Sequence, residues 1–282
     1  MNMLIDSNTK LYGLFGNPVK HSKSPVMLNA AFQSVGINAA YIAFQIPSGK
    51  LKEAINGIRA MGFRGINVTI PYKEEVIYYL DDIDINARRI GAVNTIVNDN
   101  GKLIGYNTDG IGYARSLKEE CGFTIRGKKL LILGAGGAAK GLVHALANEE
   151  PDTIWIANRT KERAVELAQA IKPITNAIGI GLNEIELIKK ELNFIVNTMP
   201  VGQFPNENEV PIETHWFHES LTVSDIIYNP EITKFLAEAK AKGSRIHSGL
   251  GMLIYQGAYA FEYWTGLTAP IPVMRKVFEQ SK

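Results

Sequence analysis

Cysteine is nearly missing: Cys121 stands alone among 282 residues, so the chain can form no internal disulfide and no cysteine-based metal site. A reducing cytoplasm is the expected setting. No apolar run is long enough to span a bilayer, and the opening MNMLIDSNTK has neither an apolar core nor the Arg-rich amphipathic pattern of a targeting segment. Charge of one sign is also lacking, since 30 Lys and Arg meet 28 Asp and Glu; no global field favours nucleic acid or an acidic membrane. Internal repeats and low-complexity tracts are absent as well. What remains is a chain 46% hydrophobic and 21% charged, ordinary for a globular protein and long enough for two domains. The expected partner is a small molecule, and the expected assembly a monomer or homodimer.

The stretch GKKLLILGAGGAAKG, residues 127–141, organises the chain. Leu130 to Leu133 form an apolar run that stops at Gly134, and small residues lead into an apolar-periodic segment through Ala147. That pattern reads as buried strand, tight turn and helix. Gly134 and Gly136 leave room for backbone to approach a pyrophosphate, Ala138 and Ala139 keep the helix start close to the sheet, and free N–H groups at that start would face the anion. A strand-to-helix turn without a ligand would use the same residues, so the next strand has to decide.

That strand, residues 152–157 (DTIWIA), ends in Asn158, Arg159, Thr160, Lys161 and Arg163, where an NAD site usually carries an Asp or Glu for the ribose hydroxyls. A carboxylate there would repel a 2′-phosphate, whereas a guanidinium binds one through parallel hydrogen bonds. Cations in a first helical turn also oppose the dipole unless an anion lies near. The expected cofactor is NADP.

Before the glycine turn, residues 10–15 (KLYGLF) read as a strand and 16–18 (GNP) as a turn. Ser24 and Pro25 open a helix closed by Gly36, Ser24 as its N-cap. Ser22 has no such explanation, and two hydroxyls beside a helix start can hold a small carboxylate. Residues 40–46 read as a second strand, 51–61 as a helix and 64–70 as a third strand, which argues a parallel sheet. Pro71 would start another helix with Lys73 in its first turn, at a strand's carboxyl end where ligands bind in open sheets. An exposed surface lysine is the alternative. Gly91 closes the next helix, and residues 92–97 and 102–107 form a hairpin around NDNG. Asn94 in its first strand needs partners, which a ligand or a neighbouring backbone would supply. Asp109 precedes a helix over 111–120 and could simply cap it.

Beyond residue 157, strands are expected at 193–197, 223–228 and 245–246, with a crossover helix over 184–192 and a helix from Pro230 to Gly243. The segment TMPVG (198–202) follows a strand end where a nicotinamide ribose would be expected. An aromatic-rich helix runs from Ser248 to Trp264, its apolar pattern broken by Gln256, and a last helix covers 274–279, packing back on the first domain.

Together GNPVKHSKSP (16–25), NVTIPYKE (67–74), GAVNTIV (91–97), GYNTDG (105–110), GAGGAAK (134–140), NRTKERA (158–164), IYNP (227–230) and GMLIYQGA (251–258) resemble the shikimate dehydrogenases, in the family's order and over nearly the whole chain. The resemblance implies NADP-dependent, reversible reduction of 3-dehydroshikimate to shikimate in chorismate and aromatic amino-acid biosynthesis, without a metal; a quinate-accepting relative with relaxed NAD(P) use is the alternative. It also implies two α/β domains, an N-terminal substrate-binding sheet domain (1–110 plus 248–282) and a Rossmann-type NADP-binding domain (111–247), with a deep cleft between them. The family's catalytic pair matches Lys73 and Asp109. Its substrate contacts match Ser22, Ser24, Thr69, Asn94, Tyr228 and Gln256, and its cofactor contacts match Gly134, Gly136, Gly137, Ala138, Asn158, Arg159, Thr160, Arg163 and Gly251. Where the family has NATPxGM, this chain has NTMPVGQ, with Met199 and Gln203 as departures. Two rival classes fit less well. A non-catalytic NADP-binding regulator has no need of Lys73, Asp109, Asn94 and Gln256 together, and a reductase with a cysteine nucleophile would need Cys121 at a strand end.

Overall fold

The structure, a computed structural model, describes residues 5–280. The chain divides into two compact units: residues up to Thr108 with those from Ile254 onward, and Asp109–Leu253. The sequence-based boundaries, after 110 and after 247, fall a few residues away, and Asp109 and Gly251 belong to the second unit.

The first unit contains β1 (Lys10–Gly16), α1 (Ser24–Ser34), β2 (Ala39–Gln45), α2 (Leu51–Ala60), β3 (Gly65–Val68), β4 (Asp82–Ile83), α3 (Ile85–Ile90), β5 (Thr95–Asp99) and β6 (Lys102–Tyr106). Its sheet has the order β2-β1-β3-β5-β6-β4. A wholly parallel sheet is not what forms: β1 runs parallel to β2 and β3, but β5 is antiparallel to both β3 and β6. The cause is local. Asn100 and Gly101 adopt φ of 51° and 98° and Asn98 Oδ1 accepts the Gly101 N–H at 2.8 Å, a tight turn that can join only antiparallel strands. One face of this sheet buries Leu51, Ile55 and Ile58 of α2 against Ile66, Val68, Ile96 and Leu103.

After the second unit the chain returns. α8 (Gly249–Thr265) begins in the second unit and ends in the first, and α9 (Ile271–Gln280) follows. Phe261 of α8 lies 5.2 Å from Phe32, which stacks on Tyr12 at 4.7 Å. Trp264 donates its indole N–H to Ile96 O at 2.9 Å. That ring crosses β3 where a Cβ on Gly65 would stand 2.0 Å from Nε1, so only glycine fits. The last helix starts at Ile271, earlier than expected, because Pro272 fits a first helical turn at no cost in hydrogen bonds.

The second unit runs α4 (Asp109–Cys121), β7 (Lys129–Leu133), α5 (Gly137–Ala147), β8 (Thr153–Asn158), α6 (Lys161–Ile171), β9 (Ala177–Gly181), β10 (Phe194–Asn197), β11 (Thr222–Asp225), α7 (Lys234–Ala241) and β12 (Arg245–His247) before α8. All neighbours in the order β12-β11-β10-β7-β8-β9 are parallel. Alternate residues serve opposite faces. Leu130, Ile132, Ile154 and Ile156 join α4, α5 and α6, while Leu131, Leu133, Trp155 and Ala157 join α7. A sheet covered on both faces needs continuous apolar strands, which is why LLIL and TIWIA read so clearly.

Three sequence expectations require correction here. Residues 184–192 form two short 3-10 turns, Leu182–Leu187 and Lys189–Glu191, rather than a crossover helix. The helix expected from Pro230 begins instead at Lys234, where Thr233 caps it by accepting the Leu236 N–H at 3.4 Å. β9 escaped the sequence reading because glycines break its apolar pattern. Those glycines have a packing cause: a Cβ on Gly179 would stand 2.3 Å from Val165 N and 2.5 Å from Ala164 C, so α6 lies directly on the strand backbone.

Thr233 is itself held. Its hydroxyl donates to Asp225 Oδ2 at 2.9 Å, while Oδ1 accepts from Asn197 Nδ2 at 3.2 Å and from Ile227 N at 3.0 Å. Asp225 is fully buried, and burial pushes its pKa up from 3.8 to about 6 against the opposing pull of these donors.

Gly179→Val is expected to cost about 3 kcal/mol or more of unfolding free energy, because backbone rather than a mobile side chain must yield; a denaturant titration measures it. For Asp225 the folded state holds the proton more tightly than the unfolded state. Its contribution is therefore greatest below pH 3.8, falls as pH rises, and becomes a constant cost above about 6. The isosteric Asp225→Asn should gain stability relative to wild type by up to about 3 kcal/mol between pH 4 and 7, read from denaturant titrations at each pH.

Candidate active site

In the first unit three of the candidate substrate residues, Ser24, Asn94 and Gln256, hang on one line of buried polar groups. The Ser24 hydroxyl is hydrogen-bonded to Tyr41, whose own hydroxyl donates to Asn67 Oδ1 at 2.8 Å. Asn67 Nδ2 donates to Thr95 Oγ1 at 3.0 Å and to Asn94 O at 3.1 Å. Asn94 Nδ2 then donates to Thr108 Oγ1 at 3.0 Å, and its Oδ1 accepts the Thr108 N–H at 2.8 Å. Thr108 Oγ1 lies 3.1 Å from Gln256 O on α8. Tyr41, Asn67, Asn94, Thr95 and Thr108 are all buried, and among the described residues no buried side-chain polar atom lacks a partner. Such a line holds its members rigidly, since each broken link strands a desolvated group.

Sequence reading found Ser24, Asn94 and Gln256 but missed Tyr41, Asn67 and Thr108, which fix them. An Asn in the middle of an apolar strand, GINV, was the available signal for Asn67. The reading of the two serines is also reversed. Lys23, not Ser24, stands at the N-cap of α1, which has no side-chain cap. It is Ser22 whose Oγ accepts the Ser24 N–H, at 3.3 Å, while Ser24 is the buried first helical residue turned to Tyr41.

Thr69 follows β3 and lies over Gly16 at the end of β1. A Cβ on that glycine would come within 2.3 Å of Thr69 Cγ2, so glycine there is what lets the threonine sit between the strand ends. Lys73 is half-buried in the turn beyond. It does not open an α-helix as expected: residues 75–79 form a 3-10 turn, and the Lys73 carbonyl accepts the Val93 N–H at 2.8 Å instead of closing a helical turn. That bond places Lys73 against the residue preceding Asn94, so the first unit brings these two candidates together.

In the second unit the strand order reverses between β7 and β10, and ligands of open parallel sheets bind at such a switch point, outside the strands' carboxyl ends. Gly134 there has φ of 109°, and a Cβ on it would meet Thr198 Oγ1 at 2.6 Å. Thr198 is pinned in turn by its hydroxyl, which donates to Leu133 O at 2.7 Å. The variant loop 198–203 thus lies across from the glycine turn. Gly136 is the N-cap of α5 and supplies no side-chain cap. Around the Cβ positions of both Gly136 and Gly137 there is open space, with nothing within 4 Å. An uncapped helix start with backbone open to solvent, followed by Ala138, fits a pyrophosphate.

Asn158 ends β8 and turns its Nδ2 onto Thr160 O at 2.9 Å, bracing the loop that carries Arg159. Lys161 is spent on Glu184, 2.8 Å away. Arg159 and Arg163 are exposed, and among the described residues neither guanidinium makes a hydrogen bond or an ion pair. Two guanidiniums so placed, with no carboxylate at the strand end, fit a 2′-phosphate. Asp109 is half-buried at the first position of α4, Tyr228 is 39% exposed three residues past β11, and Gly251 is buried in the first turn of α8.

The same division is visible in comparisons with known proteins. The shikimate dehydrogenase substrate binding domain matches residues 14–96, shikimate / quinate 5-dehydrogenase matches 116–201, and the shikimate 5'-dehydrogenase C-terminal domain matches 249–277. A shikimate dehydrogenase (NADP(+)) of Geobacillus sp. strain WCH70 is 49% identical over 268 residues, covering 95% of this chain and 97% of the relative. A crystal structure of a shikimate dehydrogenase in complex with NADP+ superposes with a TM-score of 0.91 at 43% identity, over 99% of this chain and 97% of that one. That of the Listeria monocytogenes shikimate 5-dehydrogenase with shikimate and NAD has a TM-score of 0.94 at 37% identity, over 99% of both chains. With kinship of this degree running through both units and through the returning helices, the chain belongs to the shikimate dehydrogenase family.

Proposed function

We propose that the protein is an NADP-dependent shikimate dehydrogenase, reversibly reducing 3-dehydroshikimate to shikimate, with the polyol acid bound by the first unit and the dinucleotide by the second. The observation that carries the site assignment is the 2.8 Å bond from Val93 N to Lys73 O. It fixes an ammonium-bearing residue beside Asn94, on a line of buried neutral donors and acceptors suited to reading hydroxyl groups. Relatives similar over the whole chain and named for NADP+ argue against the quinate and NAD alternative.

The nicotinamide, when bound, supplies the hydride. In reduction the Lys73 ammonium polarises the substrate carbonyl and delivers a proton to its oxygen; in oxidation its neutral amine takes that proton back. Asp109 steers the proton by accepting a hydrogen bond from the reacting hydroxyl. Ser22 and Ser24 hold the substrate carboxylate, and Thr69, Asn94, Tyr228 and Gln256 read its hydroxyls. An analogue lacking one hydroxyl would leave a buried partner unpaired, which is how such a site discriminates. Gly134, Gly136, Gly137 and Ala138 offer backbone to the pyrophosphate, Asn158 and Thr160 shape the ribose end, Arg159 and Arg163 hold the 2′-phosphate, and Gly251 completes the cofactor contacts.

Nicotinamide absorbance recorded with shikimate and NADP, then with quinate and NAD, tests the reading directly; turnover is expected with the first pair. Lys73→Ala should lower kcat by about 10²- to 10⁴-fold while NADPH affinity, set in the other unit, stays nearly intact by fluorescence titration. Arg159→Ala should weaken NADPH binding by about ten- to a hundredfold and NADH binding far less. Equal losses for the two cofactors would remove the 2′-phosphate role.

A further inference from the structure

Within the second unit, α4 carries Asp109, Tyr113, Ser116 and Glu120, and their spacings of four, three and four put all of them on one stripe of the helix. Two of these residues are gripped from outside. Tyr113 Oη donates to Ser224 Oγ of β11 at 2.7 Å, Ser224 Oγ lies 2.9 Å from His247 Nδ1, and His247 Nε2 lies 3.1 Å from Ser116 Oγ. Ser116 Oγ in turn donates to Tyr113 O at 2.8 Å. For a neutral imidazole these bonds can be satisfied together in only one direction. With Ser116 spending its proton on the carbonyl, its oxygen must accept from Nε2–H; Nδ1 then accepts the Ser224 proton, and Ser224 accepts from the tyrosine. In that form the circuit closes on an imidazole protonated at Nε2. It is dry: Tyr113, Ser116 and Ser224 are fully buried and His247 is 3% exposed.

A third member of the stripe, Glu120, is held by shape. A Cβ on Gly251 would stand 2.7 Å from Glu120 Oε2 and 2.8 Å from Ser116 Cβ, so the first turn of α8 rests directly on α4. Glu120 Oε2 lies 3.9 Å from His247 Nε2, the ring nitrogen that also faces Ser116. The family assignment gives none of these contacts a role. Yet the circuit ties two strand ends, β11 and β12, to the helix whose first residue is Asp109.

We propose that His247 is a positioning residue for Asp109, fixing the axial register of α4 through Ser116 and Ser224 so that the carboxyl group at its start is presented in one orientation. The proposal rests on the functional reading above, in which Asp109 acts on the reacting proton. A shift of about 1 Å in such a group can cost a hundredfold in rate. Removing the circuit should therefore act on turnover more than on substrate affinity.

The test is a cycle of His247→Gln and Asp109→Asn, with kcat and KM measured for shikimate oxidation by NADP. His247→Gln alone should lower kcat by about ten- to a hundredfold with KM little changed. Placed on Asp109→Asn, it should lower kcat by less than about threefold more, because the carboxylate it serves is already gone. Wild-type kcat in His247→Gln, or the same fold-loss in both backgrounds, overturns the proposal. If His247→Gln does not fold, Ser116→Ala and Ser224→Ala, each removing one oxygen from the circuit, are judged by the same criteria. Failure of the functional reading has a different signature, absence of shikimate oxidation by the wild-type protein itself.

Discussion

The first unit is built around a line of desolvated polar groups that would be ruinous if any link were missing. Tyr41, Asn67, Thr95, Asn94 and Thr108 come from separate strands and loops, and each satisfies its neighbour inside a core that offers no water as a substitute. Apolar packing alone tolerates sliding and repacking; this line does not, because its partners are matched atom by atom. The strands are therefore locked in the register that sets Ser24, Asn94 and Gln256, the residues to which the proposed function gives the polyol acid. Stability and recognition share the same atoms here, at the inner and outer ends of one chain of donors and acceptors.

The second unit solves a different problem, bringing backbone close to a bulky anion and helices close to a sheet. Glycine does both. At Gly136 and Gly137 the missing side chain leaves space facing solvent, whereas at Gly179 and Gly251 the space is filled by a neighbouring helix. The same residue type thus marks a binding surface in one place and a packing contact in another. Only the surroundings of each glycine tell the two apart.

That distinction explains what could be read from the sequence and what could not. The strand 129–133, its glycine turn and the basic loop at 158–163 were legible because continuous apolar runs and missing carboxylates are local signals. β9 was not, since Gly179 and Gly181 answer to α6 and to a loop rather than to strand propensity. The setting of Lys73 was misjudged: Pro71 suggested a helix start, and only the long-range bond to Val93 shows why the chain stays in a turn. Ser24 illustrates the same limit. Its place before Pro25 implied capping, while its true partner, Tyr41, lies on another strand. Local rules decide elements; contacts remote in sequence decide which groups a site contains.

The Lys161–Glu184 pair has an outcome of its own. By neutralising the central member of a basic trio, it leaves only Arg159 and Arg163, both in open solvent, for the extra phosphate that the proposed function assigns to them. Exposed charges are screened over roughly 8 Å at physiological ionic strength. On that assignment, preference for the phosphorylated dinucleotide over its unphosphorylated counterpart is a property that dissolved electrolyte can erode, while a backbone grip on the portion common to both is left largely untouched.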